Sequence, residues 1–343
     1  MTERRIMQAA ALLAFNTLLA TCPATASETD LARQITQQDG WVSYQVPMVA
    51  AAGAPCCLEI SAGHAKAGCD LDGRSWNVGR NDDEPVRADG TLALYLHVHD
   101  AKVDKVRAFA ASCPVRDADH VRHVEAVGST DSVAWLAHTL ARDEKFGDSA
   151  DTELAALAMH DDATATDALK QLTDVSHPRK LREQALFWSG QMRGAEGARL
   201  VERFATTDAD PQLRAHAVFV LSQAGGMDGY ASIYRIALND ASEHVREQAL
   251  FWMAQTGDKR AQHDIVAALD KEPSDKVREQ AVFALSQLKD HEADAALIAL
   301  VRGHYPRKVK QQALFWLGQS GSNEALEFID EVLSRRATSS SGS

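Results

Sequence analysis

Arg182, Arg214, Arg246, Arg278 and Lys310 are evenly spaced along the chain, and each sits in a near copy of one undecapeptide. The copies read "LREQALFWSGQ" from Leu181, "LRAHAVFVLSQ" from Leu213, "VREQALFWMAQ" from Val245, "VREQAVFALSQ" from Val277 and "VKQQALFWLGQ" from Val309. Between them lie second apolar segments, such as "YASIYRIAL" from Tyr230, "AQHDIVAAL" from Ala261 and "ADAALIALV" from Ala293. Both kinds have helical spacing. A two-helix unit this short cannot bury its apolar face alone, whereas a stack of such units builds one continuous core. The constant interval therefore predicts an α-solenoid over residues 129–335.

Winding the copy from Val245 at about 100° per residue puts Val245, Ala249, Leu250 and Met253 on one stripe, facing the partner helix. Gln248, Phe251 and Gln255 fall nearly opposite, and Trp252 lies at the flank, within reach of the next repeat. Two ladders result. Phe187, Phe219, Phe251, Phe283 and Phe315 form one, and Gln191, Gln223, Gln255, Gln287 and Gln319 form the other.

"VREQALFWMAQTGD", from Val245 to Asp258, resembles the HEAT-repeat family. It is closest to the short bacterial HEAT-like repeats of phycobilisome-lyase type, with Val-Arg, then Ala three residues on, and Gly-Asp after the helix. The resemblance runs from about Ala150 to Arg335 and includes an eroded copy at "ELAALAMHDD". It implies a superhelix of paired helices whose second helices line the concave surface, which places both ladders in the groove. Two readings of the ladders stand. In one, each Phe packs sideways on the neighbouring second helix and each Gln bonds across repeats. In the other, the aromatic stripe binds a partner. The repeated Arg is read as structural, bonding loop carbonyls or a neighbouring acid such as Asp240 or Asp270.

Some HEAT-like proteins are enzymes. Deoxyhypusine hydroxylases hold two irons through His-Glu pairs just after the repeated Arg. Here those positions carry Glu183-Gln184, Ala215-His216, Glu247-Gln248, Glu279-Gln280 and Gln311-Gln312, and glutamine is a poor iron ligand. Bilin lyase activity is disfavoured by the export signal described next. No catalytic residue, metal or cofactor is assigned.

Residues 1–26 read as a secretory leader: Arg4 and Arg5, an apolar run, then "ATA" before Ser27. Lipid anchoring at Cys22 is a minor alternative. Periplasmic or secreted localisation follows, and with it an oxidising environment for Cys56, Cys57, Cys69 and Cys113. Cys56 and Cys57 are adjacent, so each is expected to bridge one of Cys69 and Cys113. Zinc held by these thiols is the alternative.

Residues 27–128 show period-two patterning in "WVSYQV", "TLALYLHVH" and "VDKVRAFAA", with a further strand expected in "HVRHVEAV". This predicts a small disulfide-stapled β-rich domain, with Pro47 to Asp83 mostly loop around one strand at "CLEI". Leu92, Leu94, Leu96 and Val98 share its core face. His97 and His99, with His120 and His123 nearby, belong to a polar, solvated face or, alternatively, to a metal site. Residues 336–343 read as a disordered tail.

A formal net charge of −12 repels phosphate backbones, so nucleic acid is excluded as a partner. No membrane span is expected beyond the leader. The chain reads as an exported, non-enzymatic scaffold or adaptor that binds another protein through its concave face. The alternative is an envelope enzyme or metal-binding protein with its site in the β-rich domain.

Overall fold

The computed structural model describes residues 26–53, 55–56, 58–61, 64–73, 89–116, 118–142, 150–223, 229–289 and 293–340. Residues 1–25 of the expected leader, Cys22 among them, and Cys57 lie outside these residues.

Helix α1 (Ala26–Ile35) leads into strand β1 (Gly40–Pro47). A short hairpin follows, β2 (Leu58–Ser61) and β3 (His64–Ala67), in the region expected to hold a single strand. Strands β4 (Thr91–His99) and β5 (Lys102–Ala110) form a long antiparallel pair. Asp100 and Ala101, both at positive φ, turn one into the other. β6 (Arg122–His123) is only a two-residue strand, parallel to β1. The sheet order is β5-β4-β1-β6.

One sheet face carries Val42, Tyr44 and Val46 with Leu92, Leu94, Leu96 and Val98, as the alternation requires. The opposite face is not the solvated surface expected from the pattern. Trp41, Tyr95 and Phe109 there build a second apolar cluster with Cys56, Cys69, Leu71, Cys113 and Val121. Cys56 is bonded to Cys113, in keeping with one of the expected bridges, and Cys69 Sγ lies 3.5 Å from Cys113 Sγ. Loops pinned by the disulfide cover what alternation alone leaves open.

The helical part begins with α2 (Ser129–Arg142), α3 (Ala150–Met159) and α4 (Ala163–Leu172). It then alternates: α5 (Arg179–Met192), α6 (Gly194–Thr207), α7 (Pro211–Gln223), α8 (Gly229–Asn239), α9 (Glu243–Gln255), α10 (Ala261–Lys271), α11 (Asp275–Ser286), α12 (Asp294–Arg302) and α13 (Arg307–Ser320). α14 (Asn323–Ser340) closes the stack and continues past Arg335, where a disordered tail was expected. The α-solenoid preceded by a small disulfide-stapled β-rich unit is thus the observed architecture.

Beyond its polar first turn, helix α3 is apolar all round because Leu154 to Met159 are all buried. The sheet, α1, α2 and α3 share one core that reaches Leu181 and Ala185 of α5. The β-rich part therefore covers the first helices of the stack, which would otherwise expose an apolar end. A buried chain of hydrogen bonds crosses this junction. Tyr44 Oη lies 2.8 Å from Ser132 Oγ, which lies 2.8 Å from His160 Nε2. His160 Nδ1 lies 2.7 Å from the Ala156 carbonyl. A carbonyl only accepts, so Nδ1 carries the proton. Ser132 then donates to Nε2 and Tyr44 donates to Ser132. Burial pushes the His160 pKa down to about 4, against a smaller upward pull from the Ala156 bond.

Candidate protein-binding face

The odd-numbered helices from α5 to α13 pack closely against one another, while the even-numbered helices from α6 to α12 touch their own neighbours sparsely. A stack that is tight on one layer and splayed on the other curves toward the tight layer. The odd helices, which carry the repeated undecapeptide, thus form the inner face. Gly190 allows part of this closeness, because a Cβ there would fall 2.5 Å from Val220 Cγ1 on α7.

On each inner helix the apolar stripe is buried as the winding predicts, for example Val245, Ala249, Leu250 and Met253. Phe187, Phe219, Phe251 and Phe283 are partly buried, and Phe315 is 56% exposed. Phe187 and Phe219 stack with centroids 6.1 Å apart, and Phe251 and Phe283 at 6.2 Å. The gaps between these pairs are filled by tryptophan. Trp252 lies 4.8 Å from Phe219, and Trp316 lies 5.4 Å from Phe283. With Trp188 beside Phe187 and Trp316 beside Phe315, the rings make one uninterrupted aromatic row across the inner layer.

Trp252 does not reach toward the next repeat, as its flank position suggested. It reaches back, and the physical reason is in the neighbour. Helices α7 and α11 carry Val220 and Ala284 where α5, α9 and α13 carry Trp188, Trp252 and Trp316. The indoles of Trp252 and Trp316 thus lie against Phe219 and Phe283 of the helices that carry the smaller residue. This large–small alternation spans two repeats, so it is readable in the sequence but masked by the stronger single-repeat interval.

The glutamine ladder flanks the row. Gln223, Gln255 and Gln319 are exposed, and Gln191 and Gln287 are half-buried. Gln223 and Gln287 each donate to the adjacent serine, Ser222 or Ser286, at 3.2 Å. Those two bonds stay within one helix, unlike the cross-repeat bonding of the packing reading. Charges on this face are paired with each other: Lys276 lies 2.8 Å from Glu247, and Lys308 lies 3.8 Å from Glu279. The face offers aromatic rings and amides, with its charge largely neutralised.

The repeated arginines tie successive repeats together. Arg182 Nη2 donates to Asp208 at 2.6 Å. Arg214 holds Asp240 with two bonds, at 2.8 and 2.9 Å, and also donates to the Asp208 carbonyl. Arg246 holds Glu272 with two bonds at 2.8 Å and donates to the Asp240 carbonyl. The loops at Asp208 and Asp240 thus each take one arginine on a side chain and the next on the backbone. Glu272 is the acid at this position. Asp270, suggested from the sequence, instead accepts from the Tyr305 hydroxyl at 2.6 Å. Burial pushes the Asp240 and Glu272 carboxyls up, but their arginine and backbone N–H bonds prevail and hold both below the ordinary carboxylate range.

His216, the one histidine just after a repeated Arg, bonds the Glu183 carbonyl through Nε2 at 2.9 Å. Burial lowers its pKa, against a smaller opposing pull from that bond. In the β-rich part, His97 pairs with Asp104 at 2.7 Å and lies tilted against Trp41, while His123 bonds Ser43 at 2.6 Å on a different strand. His99, the last residue of β4, is exposed beside Asp39 and Asp100. His97, His99 and His123 are therefore engaged separately, and His120 lies exposed at the end of a short 3-10 turn, Ala118–His120. Two of the candidate zinc thiols, Cys56 and Cys113, are bonded to each other.

Stacked helix pairs with a shared inner layer and arginine–acid ties between repeats define a helical repeat scaffold of the α-solenoid class. The HEAT-repeat family model matches this chain over residues 197–285 and 230–303. HEAT repeats commonly mediate protein interaction. No curated protein matches the chain. Among solved structures the chain is similar to human deoxyhypusine hydroxylase in complex with glycerol, at 16% identity over 56% of this chain and 85% of that one, with a TM-score of 0.26. No helix among the described residues is long and apolar enough to cross a membrane.

Proposed function

We propose that this chain is an exported, non-enzymatic scaffold that binds another protein through its inner face. The single observation carrying this reading is the uninterrupted aromatic row from Trp188 to Phe315. Its rings stay partly open to solvent rather than closing into a core. Aromatic side chains dominate interface energetics, and a contiguous apolar strip on a soluble protein marks an interaction surface. The flanking glutamines add donors and acceptors without a charge preference. Export is supported by the leader-like pattern of residues 1–26 and by the Cys56–Cys113 bond, which persists in oxidising compartments.

Site-specific photocrosslinking tests the face. Benzoylphenylalanine at position 251 or 315 should yield an adduct with another polypeptide in cells expressing the full chain. The same group at position 263, on exposed His263 of the outer helix α10, should not. Adducts of equal yield from 263, or from 263 alone, would contradict binding through the inner face.

A further inference from the structure

The arginine ladder is complete at three rungs and open at the fourth. The acids that hold Arg182, Arg214 and Arg246 each lie 26 residues further along the chain. The residue in that place for Arg278 is His304, which brings no carboxylate. Arg278 instead bonds Asp275 at 2.6 Å, in the first turn of its own helix, where that carboxylate is 59% exposed. Arg246 has the same option in Glu243, the first-turn acid of α9, yet takes Glu272. Where a loop carboxylate is present, the guanidinium prefers it. The geometry explains why: Nε and Nη2 meet both carboxylate oxygens at once, and a bidentate pair is stronger than a single exposed contact.

At the open rung the surface is hollow. Arg278, His304, Tyr305 and Pro306 line a cleft of about 530 Å³, with Leu269 and Ala299 forming an apolar wall. Asp270, also in the lining, is already engaged by the Tyr305 hydroxyl. We propose that this cleft is a carboxylate-binding site, in which an acid from outside the chain occupies the place that Asp208, Asp240 and Glu272 hold in the earlier rungs. The incoming carboxylate takes the two-point bond of Arg278 and displaces Asp275, and the His304 imidazole stands beside it as a second donor. The site lies at the loop edge of the stack, near the N-terminal ends of α11 and α13, and does not depend on binding at the inner face. The carboxylate belongs either to a free dicarboxylic acid or to an acidic side chain of a bound polypeptide.

Titration of the full chain with glutarate, and separately with a blocked hexaglutamate peptide, tests the site against sodium chloride at matched ionic strength. The His304 ring resonances report occupancy directly. They should shift saturably with glutarate if the source is a free acid, or with the peptide alone if it is protein-borne. Arg278→Met should weaken the effective probe about tenfold or more. His304→Asp supplies the missing acid from within. It should raise the thermal midpoint of the ligand-free chain and abolish the midpoint rise that the probe gives in the wild type. The proposal is overturned if neither probe moves His304 beyond the chloride control, or if Arg278→Met titrates like the wild type. It is equally overturned if His304→Asp retains the full response.

Discussion

At the scale of single residues, the most consequential buried group is His160. Its neutral ring closes the chain from Tyr44 through Ser132 to the Ala156 carbonyl, and so joins β1, α2 and the end of α3. A proton added to Nε2 would place a positive charge in a site without solvent and would force the Ser132 hydroxyl to turn from donor to acceptor. The folded pKa of about 4 lies below the ordinary 6.5, so between these values the unfolded chain binds a proton that the folded chain refuses. This contribution to stability is complete above pH 6.5 and is lost as pH falls toward 4, reaching about 3 kcal/mol. Asp240 and Glu272 act in a lower window. Their depressed pKa values stabilise the fold above the ordinary carboxylate range, and that stability fades as pH falls below it. His160→Gln should therefore flatten the loss of urea stability between pH 6.5 and 4 while leaving the steeper loss below it. An unchanged slope between pH 6.5 and 4 would remove His160 from this role.

At the scale of elements, the rungs between repeats differ in a way that mutation can read. Arg246 and Glu272 are nearly buried, with side chains 11% and 5% exposed. Arg246→Met would strand the Glu272 carboxylate and should cost about 3 kcal/mol or more. Arg278→Met removes a pair with an exposed acid and should cost less than about 1 kcal/mol. Urea midpoints for the two variants check this, and equal losses would contradict the ladder as described. Much of this level was legible beforehand. The even spacing of the undecapeptide gave the helix pairs, and winding one copy gave its buried stripe, because a strict helical period admits one arrangement. Strands β1, β4 and β5 were legible from alternation. Other features depended on what lies across a contact. The second sheet face looked polar until the cysteine loops were laid over it, and α1, with Leu31 and Ile35 buried, carried too short a pattern to stand out. The direction of Trp252 was set by the Phe219 ring on the preceding inner helix. Asp240 was legible as an arginine partner, and Asp208 and Glu272 recur in register with it, but only contact revealed that Glu272, and not Asp270, holds Arg246.

At the scale of the whole molecule, the β-rich part and α14 close the two ends of a stack whose repeats meet only their neighbours, through rungs and rings in register. One whole period can therefore leave without unravelling the rest. The segment from Gly229 to Arg260 is one such period and contains α8 and α9. Its removal sets Glu272 at the sequence distance from Arg214 that Asp240 held, so the rung can re-form. Gly229 to His244 is half a period, and its removal forces α9 into the place of an outer helix. Far-UV circular dichroism through a urea titration of both deletions gives the most direct test of a stack held rung by rung. The whole-period deletion should keep its helicity per residue and a cooperative transition, while the half-period deletion should lose both. Equal collapse of the two, or survival of the half-period deletion, would contradict that construction.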